Sequence, residues 1–442
     1  MKNSSVFQTA SEVRFYKVLK YIIPTYLTSL FNTLYTIVDG IFVSNYVGTN
    51  ALAAINIVYP IVNVLFGIAL VFATGGSAIS ALAIGAGNSK KADQAFSVSM
   101  LFSILLGCCI SGIVFFNLTP VLSLLGATPV TMNDCRTYLL IWLVGTPAVI
   151  GKELFTYFIR VDGAPAYSFV TALSGGILNI ILDYIFIGKL HMGILGAGLA
   201  TILGLVLSLL LGVFYFLRRN KNLHFTLHCF RIKLGFYCMI NGASEFINQL
   251  AIAVTTIVFN RTAMMLAGED GIAAVSIIMY LQFIFIGIYF GFSMGISPML
   301  SYAYGNGNSA VCRKLEVYSY RFFSIAPGLV YAITFFCAPL GVLFFAERSS
   351  MVYTLAVSGM RLYGLGFLFS GLNIFSAIRL TAYGKGHFSG IITFLRSFAL
   401  LLLFLLLLPG FFGLNGVWLA VPLAELLTFF VSVWFIRRNP IR

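Results

Sequence analysis

Apolar runs of about twenty residues or more, separated by short polar or basic stretches, recur along the whole chain. Twelve are visible, near 21–45, 52–83, 96–116, 138–158, 168–188, 194–217, 236–261, 272–302, 322–345, 353–378, 389–409 and 416–436. Each can cross a bilayer, whose hydrocarbon core needs about 20 residues of helix. The second and eighth are longer and are expected to tilt or extend into water. Barrel strands would alternate apolar and polar residues over about 10 positions; these runs are unbroken. Lipid offers the backbone no hydrogen-bond partner, so such segments must be helical. The pattern predicts an all-α integral membrane protein of twelve transmembrane helices.

Composition agrees. Of 442 residues, 60% are hydrophobic and 9% charged, against about 25% charged in an ordinary soluble domain. That balance excludes soluble enzymes, DNA-binding proteins and secreted disulfide scaffolds. The net charge of +14 reflects the placement of Lys and Arg around the spans and calls for no nucleic-acid partner. With the N-terminus in the cytoplasm, twenty Lys and Arg fall at cytoplasmic ends of spans and five at outer ends. The positive-inside rule then places both termini in the cytoplasm. The seven cysteines form no C-x-x-C pair and read as packing residues. The first twenty residues are basic and polar, and no small-residue cleavage site follows, so no removable signal peptide is expected.

The chain repeats itself. Gly85-Ala-Gly87-Asn88-Ser89 returns as Gly305-Asn-Gly307-Asn308-Ser309, a shift of 220. At that shift 14 of the 42 positions from 48 to 89 are identical. Gly193, Gly196, Leu199 and Ala200 likewise meet Gly413, Gly416, Leu419 and Ala420. The expected organisation is an N-terminal six-helix lobe, 1–217, a basic cytoplasmic linker, 218–235, and a C-terminal six-helix lobe, 236–442. An even number of spans per half makes the repeats parallel, related by a pseudo-two-fold axis along the membrane normal. Two such bundles facing each other suit a transporter with its cavity between them.

No enzyme chemistry is visible. A P-loop and an H-E-x-x-H motif are absent, and the four histidines are scattered. The G-x-G-N segments follow no strand and read as turns between a helix C-cap and an N-cap. A pump without ATPase chemistry and without a cofactor must draw on an ion gradient.

Charge inside a bilayer is costly and usually functional. Asp39, Asp183, Glu245 and Glu425 lie within spans, with Glu153 a fifth candidate. Tyr35 and Asp39 are four apart on one helix face, as are Asn179 and Asp183. Thr201, on the next span, is expected to face the latter pair. Asp39, Asn179, Asp183 and Thr201 make an all-oxygen set that suits a hard cation such as Na+, or shared protons. Pro24, inside the first span, removes a helix hydrogen bond and can bend it. Glu245 opens the seventh span and is a candidate for substrate binding or a second proton site; Tyr35 and Tyr138 could soften a cavity for organic cations. Glu425 is expected to pair with a bundle-facing group. Lys152 and Glu153 are expected near the cytoplasmic end of the fourth span, snorkelling or paired.

Several spaced motifs carry a resemblance. They are Phe158-Ile-Arg160-Val-Asp162-Gly163-Ala-Pro165, Gly176-Ile-Leu-Asn179-Ile-Ile-Leu-Asp183 and Gly193-Ile-Leu-Gly196-Ala-Gly198-Leu-Ala200-Thr201, with Val38-Asp39-Gly-Ile-Phe42-Val43 in the first span. In order and spacing they resemble the multidrug and toxic compound extrusion (MATE) family, in particular its bacterial NorM- and MepA-type exporters. The resemblance spans all twelve helices. It implies a V-shaped pair of bundles with alternating access, in a bacterial inner membrane. It also implies a secondary active antiporter that exports cationic amphipathic compounds in exchange for H+ or Na+. A monomer among membrane lipids is the expected working form. The family's N-lobe cation site maps onto Asp39, Asn179, Asp183 and Thr201, and its seventh-span acid onto Glu245. Two departures stand out: Tyr184 follows Asp183 where many relatives have Pro, and the tenth span carries no acidic residue. The second favours the N-lobe site for the coupling ion. The alternative reading is a flippase for a lipid-linked oligosaccharide, which would want a cationic central cavity.

Overall fold

A computed structural model of the chain describes residues 12–47, 49–226 and 231–440, and within these the side chains at 33–41, 44, 45, 49, 50 and 52 are not described. The side chains of Tyr35 and Asp39 therefore lie outside the described residues. Among the described residues twelve membrane-length helices follow one another: α1 Phe15–Tyr46, α2 Thr49–Gly85, α3 Ser89–Phe116, α4 Met132–Val161, α5 Pro165–Lys189, α6 Gly193–Arg218, α7 at 232–267, α8 at 269–305, α9 Ser309–Leu343, α10 Met351–Ala382, α11 Gly386–Phe412 and α12 Leu414–Arg438. No strand occurs among the described residues.

Most helices begin before and end beyond their apolar runs, because capped polar turns continue them. The Asn88 side chain accepts a hydrogen bond from the Lys91 N–H at 3.0 Å, and Asn308 accepts from the Val311 N–H at 3.1 Å. Each cap satisfies one of the amide donors a helix start leaves orphaned. Gly87 and Gly307, in the preceding turns, have φ of 72° and 66°, a left-handed conformation that glycine adopts without steric cost. The G-x-G-N segments are therefore matched turns, one in each half. α7 and α8 hydrogen-bond as one 74-residue run broken at Gly268, where φ is 61° and ψ −147°. A short helix, Leu118–Leu124, joins α3 to α4; seven residues are too few to show as a span in the hydropathy pattern. The last turn of α5, Tyr184–Lys189, and Leu395–Ala399 within α11 are π-helical.

The helices form two six-helix bundles, and α1, α2, α7 and α8 build the seam between them. α2 packs along α7 and α8, and α1 along α8. Hydrophobic burial drives little association between helices in lipid, so close backbone approach at small residues matters. A Cβ added at Gly75 would stand 2.0 Å from the Cys238 carbonyl oxygen, and one at Gly242 would stand 1.9 Å from that of Val71. The repeat-related crossing brings Gly295 of α8 against Ile22 of α1.

The segment after α6 is tied to the N-terminal bundle. Asp162, fully buried, accepts from the Tyr215 hydroxyl at 2.6 Å and from the backbone N–H groups of Lys221, Asn222 and Leu223 at 2.8, 2.7 and 2.9 Å. Beyond it, Asp93 accepts from the His224 N–H at 2.7 Å and Ser97 from the Thr226 N–H at 2.8 Å.

Candidate functional site

The first polar cavity lies inside the N-terminal bundle. It holds about 280 Å³ of empty space including its open mouth and is lined by Asn32 of α1, Lys152 of α4, Gly175, Gly176 and Asn179 of α5, and Thr201, Gly204 and Ser208 of α6. Room and closeness arise together: α5 and α6 touch at Gly175 and Gly204, where a Cβ would stand about 2.5 Å from the opposing backbone. Asn179 is 2% exposed, and neither atom of its amide finds a hydrogen-bond partner among the described residues. Asp183, fully buried, lies one turn further along α5, where the π-helical turn begins. The Thr201 hydroxyl donates to the Ala197 carbonyl at 3.0 Å.

Lys152 changes the picture of this bundle. Lys152 and Glu153 do not snorkel at a helix end. Both are buried, 5% and 8% exposed, and the Lys152 Nζ donates to Glu153 Oε1 at 2.6 Å. The half of the expectation that held is the pairing. A buried ammonium needs a carboxylate close by, because an isolated ion in low dielectric is prohibitively costly. Tyr138 packs edge-on to Trp142 with ring centroids 6.2 Å apart, within the apolar core of the same bundle.

A second cavity lies between the bundles, with about 400 Å³ of empty space including its open mouth. Its walls are Thr74 and Ser77 of α2, Tyr157 and Arg160 of α4, Glu245 of α7, Met294, Ser297 and Pro298 of α8, and Ile378 and Thr381 of α10. Glu245 is partly buried, and its carboxylate takes no hydrogen bond or ion pair among the described residues. Arg160 is 6% exposed. Its Nε donates to the Ser168 hydroxyl at 3.3 Å, and its guanidinium lies 4.6 Å from the centroid of the Tyr157 ring.

Other intramembrane charges are satisfied in place. Arg396 donates through Nε and Nη2 to Glu425 Oε1 at 3.1 and 2.7 Å. Asn373 donates to Glu425 Oε2 at 2.7 Å and accepts from Ser432 at 2.8 Å. Glu425 thus has the bundle-facing partner expected of it. Arg379 is held by Glu316, which also accepts from the Tyr383 hydroxyl at 2.7 Å.

The structure brings Asn179 and Thr201 to one cavity with Asp183 a turn away, and turns Glu245 into the other. Reading from sequence missed Arg160 and Tyr157, because Arg160 counted as one of the basic residues at a span end. The available signal was Glu153, Tyr157 and Arg160 at i, i+4 and i+7, which is one helix face.

The family model MatE matches residues 24–185 and 245–408. The chain is 26% identical to the multidrug export protein MepA of Staphylococcus haemolyticus, covering 99% of this chain and 96% of that one. It is 25% identical to MepA of Staphylococcus saprophyticus, covering 96% and 94%. A crystal structure of MATE in complex with MaL6 superposes with a TM-score of 0.90 at 22% identity, covering 96% of this chain and 95% of that one. An outward-facing conformation of a multidrug resistance MATE family transporter of the MOP superfamily gives 0.89 at 22% identity, covering 95% and 94%. The solved structures share the two-bundle fold described above, and the family model matches both halves of the chain; this chain belongs to the MATE family of membrane transporters.

Proposed function

We propose that the chain is a secondary active antiporter of a bacterial inner membrane, exporting cationic amphipathic compounds in exchange for H+ or Na+. Its relatives carry the name multidrug export protein. In this reading residues 1–217 and 236–442 are the two moving bodies, 218–235 is the cytoplasmic linker, and both termini are cytoplasmic. The protein acts as a monomer among membrane lipids and takes small organic cations.

The observation that carries the reading is Glu245. A carboxylate without a hydrogen-bond or ion-pair partner among the described residues faces a cavity between two bundles, and a cationic substrate is the group that would satisfy it. Asp39, Asn179, Asp183 and Thr201 are the coupling set. The unsatisfied amide of Asn179 supports that role, since an ion or a water would supply what the helices do not. Ion binding there rearranges α1 at Pro24, whose ring leaves the helix one hydrogen bond short. Transport then follows from states of different affinity: the ion favours one arrangement of the bundles and the substrate the other. The flippase reading wants a cationic central cavity, and the carboxylate of Glu245 in this one suits it less.

The test uses proteoliposomes loaded with a fluorescent organic cation, under an imposed pH gradient and then a Na+ gradient. Efflux driven by one gradient, and lost in Asp183→Asn, is the expected result. No efflux under either gradient would overturn the reading.

A further inference from the structure

We propose that Arg396 is a built-in cation of the C-terminal bundle: against Glu425 its guanidinium holds the place that the N-terminal bundle keeps open for an exchangeable ion. The proposal rests on the reading of the N-terminal cavity as the ion site, and it assigns ion exchange to that bundle alone.

The internal repeat carries the argument. Gly193 and Gly413 stand at the starts of α6 and α12 with φ of 59° and 54°. A shift of 220 runs along both helices from there and matches the buried Ser208 with Thr428 and Tyr215 with Phe435. On it Glu425 falls at Leu205, which lines the N-terminal cavity. Gly163 and Gly384, with φ of 92° and 72°, stand before α5 and α11 at a shift of 221, and the buried Ser168 and Ser389 match at that same shift. Arg396 therefore falls at Gly175 by the one shift and at Gly176 by the other. Both glycines line the same cavity. Where α5 and α6 present two glycines and a leucine, α11 and α12 present an arginine and a glutamate.

The C-terminal pair leaves nothing for a free ion to satisfy. The side chains of Arg396 and Glu425 are 10% and 5% exposed. Glu425 Oε1 accepts from Nε and Nη2 of Arg396, and Oε2 accepts from Asn373, which Ser432 in turn holds at 2.8 Å. Arg396 lies in the π-helical segment Leu395–Ala399, and such bulges frequently fall at functional positions. A guanidinium stays charged inside a protein, and one tied to α11 cannot leave. Lys152, the cation that does line the N-terminal cavity, belongs to α4 and is paired with Glu153. The α5–α6 wall carries no cation at the matching positions.

The test removes the tethered cation and supplies a free one. The purified full chain is melted in detergent with guanidinium chloride at up to about 20 mM, or with NaCl at the same concentration, so that saturable binding reads as a rise in melting temperature. In NaCl, Arg396→Gly should melt about 5 °C or more below the native chain, because Glu425 is left buried without its counter-charge. Guanidinium should return most of that loss and leave the native curve where it is. Arg396→Gly combined with Glu425→Leu, the residues that the N-terminal bundle carries, should fold and gain nothing from guanidinium. No gain in the single variant, or an equal gain in all three proteins, would overturn the proposal. Where Arg396→Gly yields no folded protein, Arg396→Lys and Arg396→Gln decide. The lysine should stay close to the native melting temperature and the glutamine should fall well below it; equal melting of the two would overturn the proposal. In proteoliposomes the double variant should keep gradient-driven efflux of an organic cation, which Asp183→Asn loses. Loss of efflux from the folded double variant would overturn the assignment of ion exchange to the N-terminal bundle alone. No efflux from the native chain under either gradient would instead overturn the exporter reading, and the guanidinium melts would still decide whether Arg396 fills a cation site.

Discussion

Gly85 on α2 lies against the carbonyl oxygen of Tyr302 on α8, where a Cβ would stand 2.1 Å away. Gly305 lies in the same way against the carbonyl oxygen of Leu82, again at 2.1 Å. Adding 220 to 82 and 85 gives 302 and 305, so this crossing maps onto itself under the internal repeat. It sits where the pseudo-two-fold axis passes between the bundles, at the end proposed to be cytoplasmic. With the Gly75–Gly242 contact it closes that end by backbone against backbone. A side chain at either glycine would wedge the bundles apart, because backbone atoms have little room to yield. Gly85→Val and Gly305→Val are expected to abolish transport while leaving both bundles folded. In those variants a cysteine at position 77, in the cavity above the crossing, should react with a membrane-impermeant maleimide from the cytoplasmic side. Normal efflux from Gly85→Val would show that the closed crossing is not part of the cycle.

Asp162 makes a second prediction. Its carboxylate accepts four hydrogen bonds, three of them from consecutive backbone amides of the segment after α6. A hydrogen bond to a charged group contributes about 1.5–3 kcal/mol. Asp162→Ala should therefore release the segment locally without unfolding the bundle behind it. Arg218, Arg219 and Lys221 are trypsin sites. Their cleavage in detergent should accelerate about tenfold or more, a change that needs only about 1.4 kcal/mol at constant chemistry. An unchanged digestion rate would mean that Asp93 and Ser97 hold the segment alone.

Lys152 and Glu153 offer a double-mutant cycle. Removing one partner of a buried pair leaves an uncompensated charge, at a cost of about 3–5 kcal/mol. Lys152→Met and Glu153→Gln should each lower the stability of the purified protein markedly. The double variant should recover most of the loss, since replacing both charges removes the penalty. Additive losses in the cycle, read from unfolding in mild denaturing detergent, would show that each group has another partner of equal weight.

The twelve crossings and the internal repeat were legible in the sequence because lipid demands long apolar helices and because glycines return at one fixed shift. Helix ends were not. The first turns of α3 and α9 are polar, and hydropathy reads them as loops, yet Asn88 and Asn308 start the helices there. Nor does hydropathy register a short connecting helix such as Leu118–Leu124. Within the sites, Asn179, Thr201 and Glu245 stood out as polar groups in apolar runs, and the structure places each against a cavity. Lys152 and Arg160 did not, because a basic residue near a span end is usually a snorkelling one. Whether such a side chain turns outward or inward depends on neighbours remote in sequence. Arg396 finds Glu425 from a different helix, whereas Arg160 turns inward to Ser168 and Tyr157.

Glu245 and Glu425 should answer the same substitution in opposite ways. Both are acidic residues within membrane spans. Glu425 receives Arg396 and Asn373 and is 4% exposed; Glu245 faces the cavity between the bundles with no such partner. Glu425→Gln leaves the Arg396 guanidinium short of its counter-charge in low dielectric, so the variant should lose about 3 kcal/mol or more of stability. Arg396→Met combined with Glu425→Gln should restore most of it. Glu245→Gln breaks no hydrogen bond or ion pair among the described residues, and its melting temperature should stay within a degree or two of the native value, as expected for a change of less than about 0.5 kcal/mol. Its effect should fall on function: efflux of organic cations should drop by about tenfold or more, the loss of one charge-assisted contact. The discriminating measurement is a thermal unfolding curve beside a transport rate for both single variants. A destabilised Glu245→Gln with proportionate loss of transport would make Glu245 a structural residue and remove the observation on which the proposed function rests.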